Sequence, residues 1–417
     1  MPELDVVKQE KTKPSETSRS ALARYVLAAT VARAADSAAA VAVVLMVLSP
    51  KTNVSNPGLA AGILSACLTA PHLLGPLLGR RLDLARNGWN VIAAACLIYG
   101  TAVAAAAIAL GRTPLWGTGL LLIIAGASGP LLTGGFSSRL PALVRVDQRS
   151  QRRAQGWDAT TYGVGGTVGP AAAAAVSGVA SPMIAILAVA AAALLAAVLT
   201  MTLPRVSTRG AAPQGSVPSP AQVLRLIAGT GALRRTVYVT MALAMPGAAI
   251  SIAAVGMAPR LEINAANAAL LTAAFGLGSL AGSMALMIAP LRGPAEKAVI
   301  RLAAAAGVAF ALAALVPSFP YALVAFGVAG VLNSLFFTAT LASRAEYAPD
   351  NARAQAFIWT AALKVTAAAV GTALAGALIS LDARLPLIAG GALAIAAAAA
   401  ASVESRGASR PATRDNG

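Results

Sequence analysis

The sequence RAQGWDATTYGVGGTVGP, residues 153–170, decides the fold of this chain. It begins with a basic residue, enters an apolar run, and carries glycine at Gly156, Gly165 and Gly169 before Pro170. Because residues four apart share one face of a helix, Gly165 and Gly169 let a neighbouring backbone approach closely. Pro170 lacks a backbone donor and bends such a helix. The stretch therefore predicts a tightly packed, bent helix.

Part of this stretch occurs twice. Residues 353–355 repeat the Arg-Ala-Gln of residues 153–155 at an offset of 200 in a chain of 417 residues, and Thr360 matches Thr160. In both copies a small residue and an aromatic residue follow the triplet. The offset is close to half of the chain and relates two hydrophobic halves. We interpret it as an internal duplication.

The composition is that of a polytopic membrane protein. The chain is 58% hydrophobic and 11% charged, with a mean hydropathy of +0.74. Apolar runs of about 20 residues, the length that crosses a bilayer, recur throughout. The net charge of +17 comes from short basic clusters between these runs. Such clusters are typical of membrane proteins rather than of nucleic-acid-binding surfaces, so we expect a lipid bilayer as the partner and no nucleic acid.

The hydrophobic pattern predicts an all-α fold with twelve transmembrane helices in two pseudo-symmetric bundles of six. The predicted spans are 22–48, 57–78, 89–110, 115–142, 156–179, 182–203, 236–258, 266–289, 298–317, 319–342, 355–381 and 385–402. A segment rich in Pro, Gly, Ser and Arg separates the sixth span from the seventh. The predicted regions are a tail at 1–20, bundles at 21–204 and 236–403, a linker at 205–235 and a tail at 404–417.

The distribution of basic residues predicts the orientation. Of the 32 lysines and arginines, 25 lie in the two tails, the linker and the loops on their side of the membrane, if Arg24 and Arg301 near the ends of their predicted spans are included, and four lie in the opposite loops. Because basic loops stay in the cytoplasm, we expect both termini to be cytoplasmic in the plasma or inner membrane. The first twenty residues are polar and mixed in charge, which predicts no cleavable signal peptide.

Two parallel bundles of six joined by a cytoplasmic linker resemble the major facilitator superfamily. The spacing of Gly156, Gly165, Gly169 and Pro170 looks like the fifth-helix signature of its exporters, although the usual closing glycine pair is replaced by two alanines. The resemblance implies that this helix packs between the two halves.

A second signature of the superfamily lies between the second and third helices. There the chain has Gly79, Asp83 and Arg86, but Leu84 stands where a basic residue is usual. Arg139 is predicted at the same level of the membrane as Asp83. It either contacts Asp83 and latches the cytoplasmic side closed, or extends to the interface as an isolated cation.

Charges inside predicted spans indicate function because burying them is costly. Asp36 lies in the first span, one turn after Arg33, and the resemblance places this helix beside the central cavity. Asp36 is our candidate for a proton-coupling or substrate-binding carboxylate, and Arg33 is predicted to belong to the same cavity. The alternative is an Arg33–Asp36 ion pair that only fixes packing.

Three further residues are cavity candidates. Lys364 occupies the position of Val164 in the first repeat, and it either balances Asp36 or binds an anionic group. Asn333 is a predicted hydrogen-bonding residue of the cavity. His72, the one histidine, is suited to proton exchange or is a satisfied polar residue at the bend after Pro71.

The sequence carries no motif of an enzyme. It has no Walker loop and no Gly-x-Ser-x-Gly elbow, and one histidine with two isolated cysteines supplies no metal site. We therefore expect no catalytic residues, no metal and no cofactor, with the proton gradient as the energy source.

The resulting prediction is a secondary active transporter, expected to act as a monomer. The fifth-helix signature favours efflux of a small organic compound, such as a drug or metabolite, by an antiporter that admits a proton. One alternative is a proton-coupled uptake symporter for a sugar or organic acid. Another is a non-transporting sensor or scaffold. The alanine-rich composition is typical of a bacterial genome.

Overall fold

The computed structural model describes residues 16–49, 52, 56–204, 217–263 and 265–408, so most of both predicted tails and part of the linker lie outside the described residues. Within these ranges the chain forms fifteen α-helices and no β-strand. The helices are α1 (Glu16–Val47), α2 (Pro57–Thr69), α3 (Gly75–Leu84), α4 (Gly88–Ala109), α5 (Leu115–Pro130), α6 (Phe136–Arg139), α7 (Gln148–Val179), α8 (Pro182–Met201), α9 (Pro220–Gly229), α10 (Gly231–Gly256), α11 (Ala265–Ile288), α12 (Ala295–Ala313), α13 (Phe319–Tyr347), α14 (Arg353–Leu378) and α15 (Leu385–Ala408).

Alanine and leucine favour these helices, and side-chain caps fix where several of them begin. The side chain of Asn87 accepts a hydrogen bond from the backbone of α4, and Asp147 does the same for α7. Ser181 caps α8. Ser219 and Gln222 form a reciprocal capping box at the start of α9, the short helix in the predicted linker.

The helices supply the twelve predicted spans. Two spans are interrupted: a 3₁₀ turn joins α2 to α3, and a π-helical turn at Leu131–Gly135 joins α5 to α6. Ten spans are long and apolar enough to cross a membrane by composition. The others are α7, which is rich in glycine and polar residues, and α12, which carries three charges in its first two turns. The predicted all-α membrane fold is confirmed.

Each half has its own hydrophobic core. Tyr25, Tyr99 and Phe136 are fully buried among alanines of the first six spans, and Phe310 and Phe326 among those of the last six. The duplicated triplets both lie at the start of fifth helices, in α7 and α14. The hydroxyl groups of Thr160 and Thr360 donate to the carbonyl four residues earlier in each copy. The two copies therefore share their local structure.

The halves meet on the side of the bundle where α1 begins and α15 ends, which we call the terminal side. There α14 packs on α3, and α7 packs on α11. A Cβ atom at Gly156 would lie 3.1 Å from the Leu286 backbone, and one at Gly163 would lie 2.9 Å from the Leu280 side chain. One turn further along α7, Gly166 has open space beside it. The two halves therefore touch on the terminal side and separate beyond Gly163.

Candidate functional site

A cavity of about 170 Å³ lies between the two halves. It is the natural candidate site because both halves contribute its walls, so their relative motion changes its access. The lining residues are Asp36, His72, Pro130, Thr133 and Tyr162 from the first half, and Thr240, Phe337, Arg344, Ile358, Thr360, Ala361, Ala362, Lys364 and Val365 from the second.

Asp36 and His72 form the ionisable pair of the first half. His72 Nε2 lies 3.8 Å from Asp36 Oδ1, and the two side chains are 18% and 17% exposed, so both are reached by solvent. His72 lies directly after Pro71 in the 3₁₀ turn Ala70–Leu74. Gly129 makes room for the pair, because a Cβ atom there would lie 2.5 Å from His72 Nε2 and 3.1 Å from Asp36 Oδ1. The sequence had shown both residues but not that they meet.

Arg33 is not among the residues that line this cavity, and the alternative of an Arg33–Asp36 ion pair is wrong. Arg33 instead pairs with Asp158 on α7, at 2.7 Å between Nη1 and Oδ1, and both side chains are only 1% exposed. Arg33 and Asp36 lie three residues apart on α1, yet the helix directs the guanidinium towards α7 and the carboxylate towards the cavity. Asp36 is thereby left without an arginine partner among the described residues.

Further polar groups surround the guanidinium of Arg33. Thr161 and Ser137 accept hydrogen bonds from the guanidinium, and the Tyr25 hydroxyl donates to Asp158 Oδ1 at 2.5 Å. The guanidinium also lies 3.5 Å above the centre of the Tyr162 ring. This solvent-excluded network joins α1 to α7, and within it Arg33 Nε is the one guanidinium nitrogen without a hydrogen-bond partner among the described residues.

The second half contributes cations to the cavity. Lys364 Nζ lies 4.3 Å from the centre of the Phe337 ring. Arg344 is 4% exposed and donates to the Thr340 carbonyl and hydroxyl groups at 3.0 and 3.1 Å. Sequence inspection selected Lys364 but missed Arg344, because Arg344 falls just beyond the predicted end of its span and looks like a loop cation.

Asn333 does not line this cavity. Its side-chain oxygen lies 3.8 Å from the position that a Cβ atom at Gly247 would occupy, in the contact between α13 and α10. The structure thus places Asn333 within the second half. Its predicted role as a cavity hydrogen-bonding residue is not supported by this position.

Asp83 joins the two halves on the terminal side. Its two carboxylate oxygens accept hydrogen bonds from the backbone nitrogens of Ala354 and Gln355, at 2.9 and 3.1 Å. These are free donors at the start of α14, where the helix dipole also favours an anion. Gly79, one turn earlier, allows close approach, because a Cβ atom there would lie 3.1 Å from the Gln355 backbone.

The Asp83–Arg139 contact, one of the two alternatives for Arg139, is not formed as an ion pair. Arg139 donates to the backbone carbonyl of Leu82 in its own half, and its guanidinium packs against Gly88. Arg86 is exposed. Asp83 instead joins the halves through backbone donors of α14, which no side-chain motif in the sequence indicates. The Arg152–Glu346 ion pair, at 2.7 Å, is another contact between the halves on the terminal side.

The glycines of α7 serve two different contacts. Gly156 faces α11 of the other half, as expected. Cβ atoms at Gly165 and Gly169, however, would meet the backbone of Ala34 on α1, each with an atom at 3.0 Å. These two glycines pack within their own half, not between the halves. The helix continues through Pro170 to Val179.

A larger groove of about 620 Å³ lies beside α1 and the start of α7. Its lining includes Arg145, Arg153 and Trp157, and all its residues come from the first half. A rocking motion of the two halves does not change its access, so we assign the candidate site to the central cavity. Among the residues that the structure describes, no cluster of His, Cys, Asp and Glu could hold a metal ion.

The fold matches solved structures of major facilitator superfamily transporters. The human organic anion transporter MFSD10 is 15% identical, with a TM-score of 0.73 over 93% of this chain and 100% of that one. The proton:xylose symporter XylE is 14% identical, with a TM-score of 0.69 over 93% and 95%. The E. coli fucose:proton symporter FucP is 13% identical, with a TM-score of 0.69 over 95% and 100%.

No protein-family model matches the sequence, and no curated protein matches it either. At these identities the structural likeness shows the fold alone. The chain thus has the fold of the major facilitator superfamily, as the sequence predicted.

Proposed function

We propose that this protein is a secondary active transporter that works by alternating access. The observation that carries the proposal is the central cavity, which holds an ionisable pair from one half and a lysine from the other and lies between halves that touch on one side only. Rocking of such halves about a midplane site exposes it to each side of the membrane in turn. The charge bias supports a cytoplasmic location for the terminal side and both termini.

Asp36 and His72 are the proposed proton-coupling groups. They are solvent-accessible, lie side by side at 3.8 Å, and have no other ion-pair partner among the described residues. A carboxylate and an imidazole in contact can bind and release protons as a pair. Lys364 lines the same cavity, so a change in the charge of Asp36 or His72 would change its electrostatic energy.

Two senses of coupling are candidates. The glycine signature of α7 supports export of a small organic compound in exchange for a proton. The excess of cations in the second half of the cavity supports the other sense, symport of a proton with an organic acid. In either case the small cavity suits a compound well below drug size, since drug-sized pockets have volumes of about 300–1,000 Å³ against about 170 Å³ here.

Purified protein in proteoliposomes with an imposed pH gradient tests the proposal. A pH-sensitive dye would follow proton movement while carboxylates, sugars and lipophilic cations are added separately. We expect at least one class to move protons, and Asp36→Asn to abolish that movement. Asp382→Asn is the matched control because Asp382 is 49% exposed and outside the cavity. The direction of proton flow relative to the added compound separates antiport from symport.

Two results would count against this function. If Asp36→Asn moves protons as the unmodified protein does, Asp36 is not the coupling group. If no compound moves protons and none is accumulated, the non-transporting sensor becomes the better account.

A further inference from the structure

We infer that the central cavity binds a small organic anion through Lys364 and Arg344. The inference rests on the proposed function for the claim that the anion is transported, but the binding site is argued from the cavity itself. It assigns a substrate class to the site and identifies Arg344 as a binding residue.

Lys364 is a cation without an anionic partner in the part of the chain that the structure describes. It lies well inside α14 and forms no ion pair with a described residue. The ammonium group lies over the face of the Phe337 ring, 4.3 Å from the ring centre. A cation–π contact compensates only part of the cost of removing an ammonium group from water. A carboxylate ligand would supply the missing countercharge.

Arg344, on the neighbouring wall of the cavity, is likewise a cation without an ion-pair partner among the described residues. Its side chain is 4% exposed. Its described partners are uncharged: Thr340, the Phe357 carbonyl at 3.5 Å and the Phe357 ring at 4.9 Å. Arginine presents paired donors whose geometry matches a carboxylate. Its position in the cavity wall makes it available to a ligand there.

The balance of charge supports an anion rather than a cation. With His72 neutral, the lining holds two cations, Lys364 and Arg344, against the single carboxylate of Asp36. The nearby Arg33 adds no net charge because Asp158 neutralises it at 2.7 Å. The cavity therefore has one positive charge in excess, and a monocarboxylate would neutralise it.

Size and shape narrow the class further. An apolar protein cavity of about 150 Å³ accommodates benzene, and this cavity has about 170 Å³. The Tyr162 and Phe337 rings meet edge to face at 5.0 Å and supply apolar walls beside the cations. A monocarboxylate with a compact apolar body, of the size of benzoate, fits this combination.

The same charges predict that proton and anion bind together. The ionisable and charged groups that line the cavity are Asp36, His72, Tyr162, Arg344 and Lys364. Behind Asp36, Tyr99 donates weakly to its backbone carbonyl at 3.5 Å. A proton gained by Asp36 or His72 makes the cavity more positive, which strengthens the attraction for an anion. This favours symport over exchange.

Binding to the purified full-length protein in nanodiscs tests the anion site. Isothermal titration would compare benzoate, pyruvate and hexanoate with their uncharged primary amides. We expect at least one carboxylate to bind, with its amide at least tenfold weaker. Lys364→Gln and Arg344→Gln should each weaken carboxylate binding about ten- to hundredfold. Lys364→Arg, which retains the charge, should bind, and so should Lys297→Gln, a matched control at an exposed lysine.

The inference is overturned if no carboxylate binds, if the amides bind equally well, or if Lys364→Gln binds as the unmodified protein does. Lys364→Arg guards against misreading a folding defect, since it preserves both side-chain length and charge. The result also separates the two proposals. If the protein binds anions but moves no protons in vesicles, the proposed transport is contradicted and the anion site stands. If Lys364→Gln still transports uncharged compounds, transport stands and the anion site is contradicted.

Discussion

The Arg33–Asp158 pair offers the sharpest test of the packing described above. Both side chains are 1% exposed and lie 2.7 Å apart, so removal of either one leaves the other as an unneutralised charge out of contact with water. Breaking such a pair costs about 3–5 kcal/mol. We expect Asp158→Asn and Arg33→Met each to lower the free energy of unfolding by this amount.

The double variant should be less destabilised than the two single effects combined, because no unpaired charge remains. The coupling free energy from the double-mutant cycle isolates the interaction. Denaturant unfolding of the purified protein in detergent, followed by tryptophan fluorescence, measures all four proteins. The control is Arg384→Met, which breaks an ion pair at 3.8 Å whose side chains are 38% and 49% exposed. It should cost at most about 1 kcal/mol.

A further variant decides between the two possible partners of Arg33. If Arg33 paired with Asp36, Asp36→Asn would be as destabilising as Asp158→Asn. We expect Asp36→Asn to have a small effect on stability, since its carboxylate faces the cavity at 17% exposure. Equal destabilisation by both variants, or additive effects in the cycle, would refute the assignment.

Two other variants test the contacts around the site. Asp83→Ala removes the acceptor for the backbone nitrogens of Ala354 and Gln355, so spin-label distances across the terminal side should lengthen. Arg86→Gln, at an exposed residue, should leave these distances unchanged. Identical distances in the two variants would contradict the role of Asp83 in closing the terminal side. Gly169→Ala places a Cβ atom against the Ala34 backbone and should lower the free energy of unfolding by about 1–3 kcal/mol. In Gly166→Ala the added Cβ atom enters open space, so this variant should be as stable as the unmodified protein. Equal stability of the two variants would contradict the described packing of α7 on α1.

The sequence determined the membrane fold. Apolar runs of bilayer length, basic clusters between them and a repeat at residues 153–155 and 353–355 are properties of the linear chain, and they were enough to predict twelve helices in two related halves. Hydrophobic length and charge distribution act segment by segment, so no knowledge of packing was needed. Lys364 and Asp36 could be selected for the same reason, since a charge within an apolar run is visible without a structure.

Only the tertiary structure decided which of these residues meet. Arg33 and Asp36 are three residues apart in sequence, yet they lie on different faces of α1. Arg33 contacts Asp158, and Asp36 contacts His72. Asp83 binds backbone nitrogens of α14, and such donors exist at the start of every helix, so no sequence pattern marks the one that is chosen. Gly165 and Gly169 form a helix face that permits close packing, but the sequence does not show which helix packs there. In the structure it is α1 of the same half. Pairing depends on how helices rotate and pack against each other, and that is a property of the folded bundle.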